Sequence, residues 1–235
     1  MQAKKLPESD EDRIKSLNQI LIQEELANDD NTMLSLQEVH EIRCFVLNYE
    51  GAWFCFKQAM EDETKAEKSY TELFQTAKIY ISHFIQVLNL AIIRGEVKAE
   101  NLIYYGLENR IEFPLPDLST ESTLLEWGER LIAGENERSL HGGSPIYNPA
   151  ISKVKVHFDL FKEALQSLKI YRQNTFRLQA KLKEMREKAD RLLWDTWTKI
   201  EFTYWELPET DREKKMKDYG AMFFYQAGVQ LNVFG

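Results

Sequence analysis

Two cysteines, four histidines, six prolines and ten glycines are all that 235 residues hold of the types that bind soft metals, staple secreted domains or turn the chain sharply. So few breakers favour long helices over many-turned sheets. If Cys44 and Cys55 share a helix, they lie on one face about 16 Å apart, beyond the roughly 7 Å Cα separation a disulfide spans. The expectation is two reduced thiols in the core of a cytoplasmic protein. Carboxylate-bridged metal bundles use Glu-x-x-His pairs, but the residues three before His40, His83 and His157 are Gln37, Tyr80 and Val154. The scattered histidines have no zinc-ligand spacing either, so no metal or other cofactor is expected. The opening ten residues contain no apolar signal region, and no stretch approaches ~18 continuous apolar residues, so secretion and membrane spanning are not expected.

A basic excess is also missing. The net charge of −8 argues against nucleic acid as a partner, because that affinity comes largely from Lys and Arg neutralising phosphates. With 43% hydrophobic and 29% charged residues, the composition is that of a soluble globular protein rather than a disordered one.

What the chain does hold is helical periodicity. Ser9 before Asp10, Glu11 and Asp12 predicts a helix start, and the stripe Ile14, Leu17, Leu21 carries it to Ala27. Asn28–Asn31 reads as a polar loop. Ser35 and Glu38 form a capping box, followed by a heptad-like seam at Val39, Ile42, Val46, Tyr49, Trp53, Phe56 and Met60. A second capping box, Ser69 with Glu72, predicts a turn near Glu63–Lys68. A further stripe from Leu73 to Ala91 stops at Gly95. A short helix follows at about Ala99–Tyr105, then an extended, proline-punctuated piece, Ile111–Pro116. Ser119 or Thr120 starts another helix, ending at Gly134, and Glu135–Tyr147 reads as a long loop. Asn148 as cap with Pro149 at the first helical position opens a stretch to Pro208. Its phase never slips, but one helix of ~85 Å exceeds the ~45 Å diameter of a compact chain of this length, which predicts a turn near Arg172–Thr175. Thr210 with Glu213 caps a last short helix to Gly220, and Ala221–Tyr225 is a strand or a tail laid on the core.

These elements predict an all-α fold: one helical-bundle domain of four long amphipathic helices in two antiparallel hairpins (about 35–106 and 148–220), joined by a connector of about 107–147. The matches Phe56-Lys57-Gln58-Ala59 with Phe161-Lys162-Glu163-Ala164, and Tyr105-Gly106 with Tyr219-Gly220, suggest an internal repeat. Several stretches together resemble an uncharacterised all-helical family of Bacteroidetes-type bacteria. They are Leu6–Asp10 with Arg13 and Ile14, His83–Asn89 with Arg94–Glu96, Gly134–Glu135 with Arg138 and Gly142–Gly143, and Trp194–Trp197 before Tyr219-Gly220. The resemblance implies a bacterial helical bundle and carries no activity.

Three groups of residues compete as sites. His141-Gly142-Gly143-Ser144-Pro145 lacks the preceding strand and the Gly-Lys-Ser/Thr ending of a phosphate loop, and reads as a plain turn. Glu135, Arg138 and His141 are the densest polar cluster in the connector. They would act as base, anion clamp and proton carrier of a ligand site, or else pin the connector to the bundle. Trp53, Phe54, Phe56, Phe84, Trp194, Trp197, Tyr204 and Trp205 read as an aromatic interior. Phe202 and Trp205 fall beside the main stripe and offer a face for a protein partner or a homo-oligomer. The leading expectation is a non-enzymatic interaction or scaffold protein; the alternative is a small-molecule-binding bundle or an enzyme built on the connector cluster.

Overall fold

The structure, a computed structural model, describes residues 3–27, 32–107 and 114–224. The expected polar loop at Asn28–Asn31, the first half of the Ile111–Pro116 piece and Tyr225 lie outside them. The fold is all-α. Helices α1 (Asp10–Leu26), α2 (Leu36–Ile93), α3 (Glu121–Leu140), α4 (Ile151–Thr203) and α5 (Glu209–Asp218) are joined by a 3-10 helix, Ala99–Tyr105. Two three-residue strands, β1 (Ala3–Lys5) and β2 (Met222–Phe224), pair antiparallel with Lys4 opposite Phe223.

Local chemistry sets several ends where the sequence places them. Ser9 Oγ accepts from the Asp12 N–H at 3.0 Å, and the Ser35 N–H donates to Glu38 Oε2 at 2.7 Å, satisfying backbone groups the first turns leave unpaired. Gly95, at φ +76°, ends α2 in the left-handed turn that glycine adopts without a Cβ clash. Other ends differ. Helix α4 begins at Ile151, so Asn148 and Pro149 precede it rather than opening it. Asn148 has φ +57°, outside the right-handed helical region, and the peptide bond between the two residues is cis. Pro208, with no side-chain hydrogen bond, caps α5 in place of Thr210.

The larger correction is that neither expected turn exists. The 58 residues of α2 and the 53 of α4 are each one continuous helix, so the four long helices and two hairpins become two long helices. Ser69–Glu72 sits mid-helix, where Thr71 Oγ1 donates to the Glu67 carbonyl at 2.8 Å. A capping box acts only where the chain leaves helical geometry, and the uninterrupted phase gave it no reason to leave. The turn expected near Arg172–Thr175 presupposed a single core, and there are two. The chain divides into two compact units, Met1–Ala59 with Asn174–Gly235, and Met60–Gln173. Each long helix gives one half to each unit, and no residue of α2 between Ala59 and Phe74, or of α4 between Leu168 and Leu182, is buried.

Unit 1 buries Leu17 and Ile20 of α1, Ile42, Val46, Tyr49 and Phe56 of α2, and Leu193, Trp197 and Ile200 of α4. Unit 2 buries Ile81, Phe84, Ile85 and Leu88 of α2, Leu124 and Leu131 of α3, and Val154, Phe158 and Phe161 of α4. The expected aromatic interior is split: Phe56, Phe84 and Trp197 are core, Trp53 and Tyr204 are half-buried, and Phe54, Trp194 and Trp205 are exposed. Cys44 and Cys55 are exposed rather than core thiols, because both project from the side of α2 opposite the Ile42–Tyr49–Phe56 stripe. One 18-residue window of α2 has a mean hydropathy of 1.3, enough to cross a membrane by length and composition alone, and 39% of it is buried within the protein.

Gly134 does not stop α3. It lies within the helix because a Cβ there would sit 2.6 Å from the Tyr105 ring and 2.8 Å from the Tyr104 carbonyl oxygen. Since the backbone atom cannot swing away, Gly134→Ala is expected to destabilise the protein in urea titration by about 1–3 kcal/mol, despite alanine's better helix propensity. Gly51, within α2, is the control, because the space where its Cβ would stand is open to 4 Å. Gly51→Ala should stabilise by up to about 1 kcal/mol in the same titration.

Candidate functional site

The polar cluster expected in a loop lies on a helix. Because α3 runs on to Leu140, Glu135 and Arg138 stand one turn apart on its buried face, 1% and 2% exposed. Arg138 Nε donates to Glu135 Oε2 at 2.9 Å and Nη2 donates to Oε1 at 2.7 Å, the bidentate fork that suits guanidinium and carboxylate. Tyr105, at the end of the 3-10 helix, donates its hydroxyl to Glu135 and accepts from Arg138 Nε at 3.1 Å. Arg138 Nη2 also donates to the Ser144 carbonyl at 2.6 Å, and Glu135 Oε1 accepts from the Ile146 N–H at 3.3 Å. Gly143 lets the loop lie this close, since a Cβ there would meet Arg138 Nη1 at 2.4 Å.

Burial, then the Glu135 carboxylate, pushes the Tyr105 hydroxyl far above its ordinary range, and the hydrogen bond to Glu135 raises the Arg138 guanidinium further. Tyr105 therefore stays a phenol and Arg138 a guanidinium at any physiological pH. His141 is not part of the arrangement. It is exposed at the end of α3, its Nδ1 lies 2.9 Å from the Glu137 carbonyl oxygen, and its ring stacks on Tyr104 at 5.2 Å. The structure thus brings Glu135 and Arg138 together, adds Tyr105, which the sequence reading missed, and leaves His141 outside. Three buried partners hold the connector by hydrogen bonds that use both carboxylate oxygens.

Unit 1 holds a related cluster that also escaped the sequence reading. Buried Glu24, near the end of α1, accepts from the backbone N–H groups of Met33 at 3.2 Å and Leu34 at 3.1 Å. Burial first, then nearby Glu24, raises the Tyr219 hydroxyl. The signal was the Tyr-Gly pair at 105–106 and 219–220: in both units that tyrosine neighbours a buried glutamate, on α3 for Tyr105 and on α1 for Tyr219. Elsewhere in unit 1, Asp10 accepts from Tyr49 Oη at 2.6 Å and from Arg186 Nε and Nη2 at 2.7 and 2.6 Å. Burial raises the Asp10 carboxyl, but these donors outweigh it and hold it below the usual range.

Cavities lie along the long helices in both units. In unit 2 a cavity of about 530 Å³ is lined by Ile79, Tyr80, His83, Tyr147, Pro149 and Lys153, among others. In unit 1 a cavity of about 200 Å³ is lined by Glu38, Glu41, Ile42, Leu192, Asp195 and Lys199, among others. There Lys199 Nζ donates to both Glu38 oxygens at 2.9 and 2.8 Å. That bond, with the Ser35 backbone and hydroxyl, lowers the Glu38 carboxyl from 4.5 to about 2. A carboxyl more acidic in the folded state adds stability above its unfolded pKa. The contribution of Glu38 should be complete above pH 4.5 and lost as pH falls through about 2. Glu38→Gln should flatten that part of the acid limb of a stability-versus-pH curve.

Among the described residues no group of three or more His, Cys, Asp or Glu side chains could hold a metal ion. The face expected at Phe202 and Trp205 is in solvent: Phe202 is 81% exposed and Trp205 64%, with the Arg212 guanidinium 4.8 Å from the Trp205 ring. No family model, no curated protein and no solved structure matches this chain.

Proposed function

We propose that this chain is a non-enzymatic interaction protein whose contact surface is the exposed aromatic end of α4, and that the surface joins two copies of the chain. The observation that carries the reading is Phe202 and Trp205 in water at the end of a helix whose neighbouring Trp197 is fully buried. Exposed aromatics of this size are enriched where a second protein excludes water. The Arg212 cation over Trp205 restrains that ring and so lowers the ordering cost of contact. The acid–base candidates favour the same reading, since Glu135, Arg138 and Tyr105 are engaged with one another and with backbone.

The test is native mass spectrometry with sedimentation velocity over micromolar to submillimolar protein. A dimer that disappears in the Phe202→Ser, Trp205→Ser double variant, with helicity unchanged, is the expected result. A wild-type monomer across the whole range, or a dimer indifferent to both substitutions, would sink the reading.

The chain further reads as an internal duplication. The same interval separates Ile42 from Val154, Val46 from Phe158, Tyr49 from Phe161 and Phe56 from Leu168. It also separates Ala77 from Ala189, Ile81 from Leu193, Ile85 from Trp197 and Leu88 from Ile200, and all sixteen positions are buried. This register lies one heptad from the Phe56/Phe161 match, pairing Phe161 with Tyr49 instead. The segment α1–α2–3-10 helix and the segment α3–α4–α5 are then two versions of one sequence plan.

A further inference from the structure

The two cavities fall at equivalent places in that plan. The interval that pairs Ile42 with Val154 also pairs Glu38 with Ala150, Glu41 with Lys153, Leu192 with Tyr80 and Asp195 with His83, and these residues line the unit 1 and unit 2 cavities respectively. In unit 1 the position is bordered by ion pairs. Glu38 is bridged to Lys199 at 2.8 Å and Glu41 to Lys188 at 3.3 Å. In unit 2 the counterparts of Glu38 and Lys199 are Ala150 and Val87, which cannot form such a bridge. The cavity there is correspondingly larger, about 530 Å³ against about 200 Å³, within the range of small-molecule sites.

Its chemistry is also inverted. The acidic pair Glu41 and Asp195 of unit 1 is replaced by Lys153 and His83, and no carboxylate lines the cavity among the described residues. Lys153 forms no ion pair with any described residue. The first turn of α4, which carries Lys153, has no acidic side chain. The walls are largely aromatic and apolar, with His83, Asn148 and Lys153 as the polar members. Tyr80 stacks on His157 at 4.0 Å between ring centroids, Pro149 is buried, and Tyr147 is 72% exposed at the rim.

The wall is also held before any ligand arrives. The loop bearing Tyr147 and Pro149 is fixed just upstream, where Ser144 and Ile146 bond to Arg138 and Glu135. A preformed wall spares a ligand the entropy of ordering it. A flat apolar body with one negative charge matches the aromatic surface and the lysine together, whereas Lys153 repels a cation and a polyol leaves the aromatic surface unused. We propose that the unit 2 cavity binds a small aromatic carboxylate, its ring against Tyr80 and Tyr147 and its carboxylate paired with Lys153.

Isothermal titration of the full chain with naphthoate, and with neutral naphthamide of the same shape, tests this. Naphthoate is expected to bind saturably at one site and naphthamide at least about tenfold more weakly, the usual scale for a charge-assisted bond. Lys153→Gln should weaken naphthoate by a similar factor and Tyr147→Ser should weaken both compounds. Lys169→Gln, on an exposed turn of α4 within unit 2, should change neither. Both Lys153 and Tyr147 are exposed, so their variants are expected to fold, and circular dichroism verifies that each does. No saturable naphthoate binding at millimolar concentration, equal binding of the two compounds, or a Lys153→Gln effect below about threefold would each overturn the proposal.

Discussion

Arg138→Met should destabilise the protein by about 3–5 kcal/mol in urea unfolding, among the largest effects available from a single charged residue here. The reason is what it leaves behind. Glu135 is 1% exposed and its Oε1 and Oε2 both accept from Arg138. Without the guanidinium, a buried carboxylate keeps only the Tyr105 hydroxyl and the Ile146 N–H. Removing one member of a buried pair costs far more than replacing both. Arg138→Met with Glu135→Leu should therefore be less destabilising than the sum of the two single changes, a coupling that a double-mutant cycle measures directly. If Arg138→Met instead unfolds at wild-type urea concentration, the pair is not holding the connector. Its role would then be the anion clamp that the sequence also permitted.

Trp197→Ala is the second large effect, about 3–5 kcal/mol. Trp197 is fully buried in unit 1 and its indole Nε1 donates to the Tyr219 carbonyl at 3.1 Å. The substitution removes the largest side chain of that core and leaves a cavity bounded by helical backbone that can relax only partly. It also leaves the buried Tyr219 carbonyl, at the end of α5, without that donor. Hydrogen exchange should quicken most at Leu17, Ile20, Tyr49 and Met216, which share its cluster. Trp197→Phe keeps most of the volume but loses the N–H, so its cost should fall well below that of alanine. Equal costs for the two variants would mean that packing volume contributes little at this position.

The sequence carried the candidate site only in part. Glu135 and Arg138 are three apart, a spacing that is equally that of a loop cluster and of one turn of helix. Gly134 tipped the reading towards a loop, because a glycine after a helical run usually marks an end. Its true reason is the Tyr105 ring and Tyr104 carbonyl pressed against it, a contact made by residues about thirty positions away and absent from local pattern. Glu24 was invisible for the same reason, since its partners Met33 and Leu34 become neighbours only when the chain folds back. The tyrosine that precedes glycine in both halves was in view, but nothing in the sequence alone linked it to a glutamate.

Helical identity, the phase of each stripe and most helix starts were determined by the sequence itself, because they depend on periodicity, capping side chains and breakers, all of which act within a few residues. Ile42, Val46, Tyr49, Ile81, Leu193 and Trp197 face the core as their spacing requires. Whether α2 and α4 break in the middle was decided by tertiary structure. An unbroken apolar phase permits either outcome, and the choice rests on whether there is one core to fold back around or two to extend through. Two cores formed, so each helix could bury both of its halves without a turn, and the stretches between Ala59 and Phe74 and between Leu168 and Leu182 contain no buried residue that would have forced one.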